Sequence, residues 1–150
     1  MRAKLSEKIA VRKSPVHGKG VFALKAIHNG EMIIDIEASI VSTSSEYTLQ
    51  ISERRHLFAG YIDNYINHSC APNVRVKLYP SNPKRVSYIA IRRIPAGSEL
   101  FWNYNTAEWK LKKRFACRCN PSCVEIVNGA KYSGRWPYAT PFIRKLTYAN

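Results

Sequence analysis

The residues with the most explicit chemistry in this sequence are four cysteines. Cys117, Cys119 and Cys123 form a Cys-x-Cys-x3-Cys cluster, and Cys70 lies alone in the stretch Asn67-His68-Ser69-Cys70-Ala71-Pro72-Asn73. Four thiolates complete a tetrahedral zinc shell with no open position, the arrangement of a structural rather than a catalytic metal. Two plainer readings stand beside it: a disulfide framework, or four reduced thiols with no metal. Residues 1–10 carry Arg2, Lys4 and Lys8 and no apolar run of signal-peptide length, and no later stretch approaches membrane-spanning length. The chain is therefore expected to be intracellular, off the membrane and outside the compartments where disulfides persist. A second candidate is Gly18-Lys19-Gly20. Two glycines around one residue permit a close backbone approach to a ligand, or simply a tight turn; no third glycine and no helix follow, so it is not a dinucleotide fingerprint.

The elements that must position these residues are mostly strands. At 150 residues the chain has room for one real core, and its 45% hydrophobic content with three Trp, nine Tyr and five Phe argues for a folded domain. Strands are expected at 10–13, within 32–41 and at 47–51, with one or two helical turns at 52–59. Residues 73–79 and 86–91 alternate apolar and polar around the 80–84 loop, which predicts a hairpin with one wet face. Ile27-His28-Asn29-Gly30-Glu31 and Ile94-Pro95-Ala96-Gly97-Ser98-Glu99 echo one another as turns leading into strands. The one convincing helix is expected at 106–114, with Thr106 as its N-cap and Glu108 in its first turn. The fold class is thus mostly β, with little helix and a cysteine-bound tail.

Taken in order, Gly18-Lys19-Gly20-Val21-Phe22-Ala23, then Asn67 to Asn73, then Gly97-Ser98-Glu99-Leu100-Phe101-Trp102-Asn103-Tyr104 resemble the SET-domain protein lysine methyltransferases. The cluster beginning at Cys117 is similar to their post-SET zinc tail. The resemblance covers roughly residues 8 to 125 and implies several small curved sheets with a knot-like threading of the carboxy-terminal segment. It implies a SET domain over 8–107, a post-SET segment over 108–126 and an extension over 127–150. It also implies transfer of a methyl group from S-adenosylmethionine to the ε-amine of a substrate lysine. Such a displacement needs alignment and a neutral amine more than a strong base, and a free lysine has a pKa of about 10.4.

Carried onto this sequence, the resemblance makes Tyr104 the central catalytic residue and Tyr47 a second channel tyrosine. It assigns cofactor contacts to the Gly18, Lys19 and Gly20 backbone, to the Asn67 amide, to the His68 backbone, to Tyr104, and to Trp109 as an adenine-stacking ring. Trp109 reads equally well as an ordinary aromatic on the short helix. Cys70, Cys117, Cys119 and Cys123 become the structural zinc ligands, clamping the tail onto the site. Four departures from the family pattern stand out. The tail spacing is one residue short, Asn64-Tyr65 stands where Arg-Phe is common, Asn103 replaces Asp, and Trp102 takes a substrate-channel position usually held by Phe or Tyr.

The net charge of +14 favours polyanions or acidic partners, or is a solvated basic face. Five of the ten acids (Glu31, Asp35, Glu37, Glu46, Glu53) form a local acidic stretch that could dock a lysine-rich segment such as a histone tail. A basic enzyme on a basic tail could use nucleic acid or a nucleosome as a bridge, with Lys110, Lys112 and Lys113 as candidate contacts, and a histone substrate implies the nucleus or chromatin. The tail from Val127 to Asn150, with Pro137 and Pro141, could cover the substrate groove or pair with a second chain as a homodimer. Rival readings are a SET-like binding module without turnover and a basic zinc-containing nucleic-acid binder; the retained Asn67, Tyr104 and four cysteines argue against both.

Overall fold

The computed structural model describes residues 3–133 and 138–148; Arg2 and Pro137 lie outside them. The β-branched segments Met32–Glu37, Val74–Leu78 and Arg85–Ala90 join Ala3–Leu5 in a four-stranded antiparallel sheet. The strand order is Ala3–Leu5, Met32–Glu37, Arg85–Ala90, Val74–Leu78. The expected hairpin across the 80–84 loop is present, but only its outer strand has a wet face. Arg85–Ala90 is interior to the sheet, and its residues 86–90 are all buried. A second sheet pairs Ile9–Lys13 with Lys19–Ala23, folding back at the turn that contains Gly18, whose φ is +46°.

The third sheet differs from expectation. Thr48–Ser52 is a strand as anticipated, but the segment expected to be helical contributes Arg55–Phe58, the central strand between Ser39–Val41 and Thr48–Ser52. His56 and Leu57 are buried between neighbours on both sides, and that pairing overrides the weak local helical preference. The two echoed turns meet each other. Ile27 and Ile94 exchange both backbone hydrogen bonds at 2.9 Å, and Gly30 and Gly97 close the turns at φ +82° and +85°. Ile27 and Ile94, with Val21, Ile34 and Leu100, form the fully buried centre of the main core.

The carboxy-terminal half returns to the central motif through a short parallel pairing of Asn67–His68 with Phe101–Trp102. No helix forms at 106–114. Tyr104–Thr106 is a single 3-10 turn, and the backbone beyond it is drawn to distant partners instead of to itself. Ala107 O accepts from Gln50 N at 2.8 Å, Glu108 O from Ala130 N at 2.9 Å, and Trp109 O from Lys131 N at 3.0 Å. Thr106 is not a cap either, because its hydroxyl donates back to Asn103 O at 2.6 Å. The helices lie in the extension, at Ala130–Ser133 and Pro141–Tyr148, where Pro141 takes the first-turn position that tolerates a missing N–H. They bury Ala130, Ala139 and Ile143 against Trp109 in a small second core.

Candidate functional site

The Asn67–His68 strand lies at the junction of two chemical centres. On one side is an aromatic cluster around Tyr104. Its ring lies 4.7 Å from that of Trp102, 5.3 Å from His68 and 5.9 Å from Phe115, centroid to centroid. The 3-10 turn that carries it is capped by Asn103, whose Oδ1 accepts from Asn105 N at 3.0 Å. The Tyr104 hydroxyl donates to Ile66 O at 2.7 Å. Burial, with nearby acidic groups adding to it, raises the phenol's pKa further, so it stays protonated and its oxygen lone pairs remain available.

Tyr104, Trp102 and Tyr47 line one pocket. Trp102 is buried and also packs edge-on to Tyr88 at 6.3 Å, so it serves both the core and the pocket wall. Tyr47 is half-exposed at the rim. Three carboxyl groups share this pocket: Glu46, Asp63 and Glu108. Asp63 accepts from Tyr61 N at 2.8 Å and from the Tyr88 hydroxyl at 3.5 Å, and burial raises its pKa. Glu108 Oε1 lies 3.1 Å from both the Thr48 hydroxyl and His56 Nδ1. Burial pushes Glu108 up to about 8 and pulls His56 down, so at neutral pH this is a neutral acid–imidazole pair and not a salt bridge. Sequence reasoning missed it, because its members come from three separate segments and carry no motif.

Two of the five acids between Glu31 and Glu53 are closely paired within the protein. Lys8 pairs with Glu31 at 2.8 Å, and Arg85 grips Asp35 with two nitrogens at 2.9 and 3.1 Å. Of the five acids only Glu46 reaches the pocket, with Lys113 3.9 Å away.

On the other side of Asn67–His68 is the sulfur cluster. The ligand atoms of Cys70, Cys117, Cys119 and Cys123 all lie within 4.8 Å of one another. Cys70 Sγ is 3.6 Å from Cys117 Sγ and 3.9 Å from Cys123 Sγ. A tetrahedron with zinc–sulfur bonds of about 2.3 Å has sulfur–sulfur edges of about 3.8 Å, so the spacing fits that metal. The short tail spacing leaves the four-cysteine ligand set intact. Burial and mutual crowding raise Cys70 and Cys117, whereas hydrogen bonding outweighs burial at Cys119 and brings it to about 7. Thiols packed this closely cannot all ionise unaided, and a divalent cation would resolve that conflict.

His68 joins the two centres. Its Nδ1 accepts from Tyr104 N at 3.1 Å, which places its own N–H on Nε2, 3.5 Å from Cys70 Sγ. Burial pulls its pKa down to about 4, so it is neutral and holds this tautomer.

Asn67 Nδ2 is committed inside the chain. It lies 3.1 Å from His17 O, 3.0 Å from Lys19 O and 2.8 Å from Glu99 Oε1, and so fastens the glycine loop to the central strand. Gly20 has its own structural reason to lack a side chain, because a Cβ there would strike the Glu99 carboxylate. Gly18, by contrast, faces open space. The role of Glu99, which also accepts from the Ser14 hydroxyl at 2.9 Å, was not anticipated, although the residue lies within a motif the sequence displays. Asn73 completes the framework. Its amide accepts from Phe101 N at 2.8 Å and donates to Glu99 O at 2.9 Å. Trp109 sits against the second core, and Gln50 Oε1 accepts from its backbone N–H at 2.9 Å. An open groove separates the Pro15–Val16 shoulder from the loop bearing Cys117, Arg118 and Cys119.

A protein-family comparison matches the SET domain model over residues 18–105, and the chain belongs to the SET-domain family. Among curated proteins it is 29% identical over 149 residues to the Arabidopsis thaliana histone H3-lysine(4) N-trimethyltransferase ATX1, covering 85% of this chain and 14% of that protein. It is 32% identical over 108 residues to the human histone-lysine N-methyltransferase EHMT1, covering 63% of this chain and 8% of the other. The chain thus spans only a small part of these relatives. The crystal structure of a Plasmodium falciparum candidate histone methyltransferase superposes with a TM-score of 0.55 at 22% identity, over 65% of this chain and 96% of that one, and supports the fold.

Proposed function

We propose that this chain is a protein-lysine N-methyltransferase that moves a methyl group from S-adenosylmethionine to the ε-amine of a lysine on a histone. The observation that carries the reading is the single pocket walled by Tyr47, Trp102 and Tyr104 and edged by Glu46, Asp63 and Glu108, set directly against the Asn67–His68 strand. Aromatic walls accept a lysine's methylene stem, and Glu46 at the pocket favours its cationic head at entry. The histone names of the relatives point to the substrate class and hence to chromatin.

S-adenosylmethionine supplies an electrophilic methyl on a positively charged sulfur. In the transfer the lysine lone pair forms the N–C bond while the C–S electron pair returns to sulfur. The amine must therefore shed its extra proton before attack, and the apolar walls of the pocket favour the neutral form. The Tyr104 hydroxyl, locked as a donor to Ile66 O, turns its lone pairs outward to orient the amine and the polarised methyl. On the cofactor side, the Gly18–Gly20 backbone, Asn67 Oδ1 and the His68 backbone would face the methionine and adenosine parts, and the groove beside Pro15 and Arg118 gives room for them. Trp109 would meet the adenine only at the edge of the second core. Zinc on Cys70, Cys117, Cys119 and Cys123 would hold the tail as the far wall of that groove.

The test is incubation with S-adenosylmethionine labelled on the methyl group and a panel of histones and other basic proteins, followed by mass spectrometry of the labelled product. Label on a lysine side chain is expected, with Tyr104→Phe slowing transfer by about a hundredfold. Transfer that Tyr104→Phe leaves undiminished would refute the assignment of Tyr104.

A further inference from the structure

The 3-10 turn Ile62–Tyr65 contributes Asp63 and Asn64 to the pocket lining. Asp63 holds Tyr61 and Tyr88, and the carbonyl of Ile66 holds the Tyr104 hydroxyl. Asn64 Oδ1 is the exception. It is buried and lacks a hydrogen-bond partner among the described residues, and Asn64 lines the same pocket as Trp102 and Tyr104. A buried acceptor left unpaired is costly, so a site that retains one is built for a donor that arrives later.

We propose that Asn64 Oδ1 takes an N–H of the substrate ε-amine and thereby limits the product to at most two methyl groups. The proposal rests on the lysine-transfer reading above and adds a rule for when transfer stops. Each methyl that enters displaces one N–H. The neutral amine that attacks carries two N–H groups when unmethylated, one when monomethylated and none when dimethylated. The first two forms can satisfy Asn64 while the lone pair points at the incoming methyl. The third cannot: it sets a methyl against a buried, desolvated oxygen. A water can serve the oxygen in the free protein, but a lysine side chain that fills the pocket displaces it.

The test uses synthetic peptides around whichever histone lysine accepts label in the panel, made with zero, one or two methyl groups already on that lysine. The wild-type protein is expected to methylate the first two and to be about ten- to a hundredfold slower on the third. Asn64→Leu keeps the branched shape and the number of heavy atoms but removes the acceptor, and is expected to bring the third peptide to within a few-fold of the second. Asn64→Asp keeps an acceptor at the same place and should preserve the block. Comparable wild-type rates on all three peptides would overturn the proposal, whether or not the variants fold. So would an unchanged ratio in a folded Asn64→Leu protein that still methylates the unmodified peptide. Absence of transfer to any peptide would instead overturn the lysine-transfer reading, and this inference with it.

Discussion

Gly20→Ala tests how the glycine loop is held. The backbone at Gly20 does not need a left-handed conformation, so alanine brings no intrinsic backbone strain and the effect is purely one of space. The new Cβ would land on the Glu99 carboxylate. That carboxylate is 8% exposed, with Asn67 Nδ2 2.8 Å from Oε1 and the Ser14 hydroxyl 2.9 Å from Oε2. Hydrogen bonds to a charged group are worth about 1.5–3 kcal/mol each, so displacing the carboxylate from both should cost about 3 kcal/mol after partial relaxation. In a Glu99→Ala background the obstacle is gone, and Gly20→Ala should then cost less than about 1 kcal/mol. Urea unfolding of the four proteins of this cycle, at unchanged m, measures the coupling directly. The reasoning fails if Gly20→Ala costs the same in both backgrounds, because the glycine would then be required by something other than Glu99.

Three further outcomes follow from the same geometry. Cys70→Ser should reduce bound zinc below one per chain and lower stability by about 3 kcal/mol when free metal stands a hundredfold above Kd, as read by elemental analysis and thermal unfolding; wild-type zinc content in the variant would refute the ligand set. Glu108 titrates near 4.5 when unfolded and near 8 when folded, so between those values the folded chain holds the extra proton and stability falls as pH rises, by up to about 5 kcal/mol. His56 and His68, both lowered, act oppositely: the unfolded chain takes protons below about 6.5 that the folded chain refuses, so stability also falls towards acid. Urea midpoints from pH 5 to 9 should lose their decline on the alkaline side in Glu108→Gln, and an unaltered profile would count against the neutral pair. Charge reversal at exposed Lys110 and Lys112 should reduce activity on nucleosomes and flatten its salt dependence by roughly 0.9 in log–log slope per phosphate contact, with free-peptide activity unchanged; equal loss on both substrates would argue against a nucleic-acid contact.

Much of the candidate site was legible because its residues are bound to local motifs. The four cysteines meet, and Tyr104 and Trp102 of one motif line a pocket together with Tyr47, which only its order in the chain suggested. What escaped the sequence is long-range. The segment from Ala107 to Trp109 has helical composition, yet its carbonyls are taken by Gln50, Ala130 and Lys131, which no local pattern announces. Residues 55–58 became a central strand because Ser39–Val41 and Thr48–Ser52 flank them on both sides. The Glu108–His56 pair spans 52 residues of sequence, and the Asn67–Glu99 contact spans 32. Each is an ordinary polar residue until the fold brings its partner within reach.

His68 shows why the central motif must be contiguous. Its ring needs both nitrogens, one accepting from the Tyr104 backbone and one facing the Cys70 sulfur. Protonation would end the first contact, and burial keeps the ring neutral and prevents it. An N–H directed at a thiolate stabilises that charge, as partners behind a metal's ligands generally do. The parallel pairing of Asn67–His68 with Phe101–Trp102 then places Tyr104 two residues past the strand end, within reach of the same imidazole. The sulfur cluster and the pocket thus meet opposite nitrogens of one ring. A shift in the sulfur cluster can reach the tyrosine through His68 and through Phe115 of the tail, whose ring packs edge-on to both His68 and Tyr104.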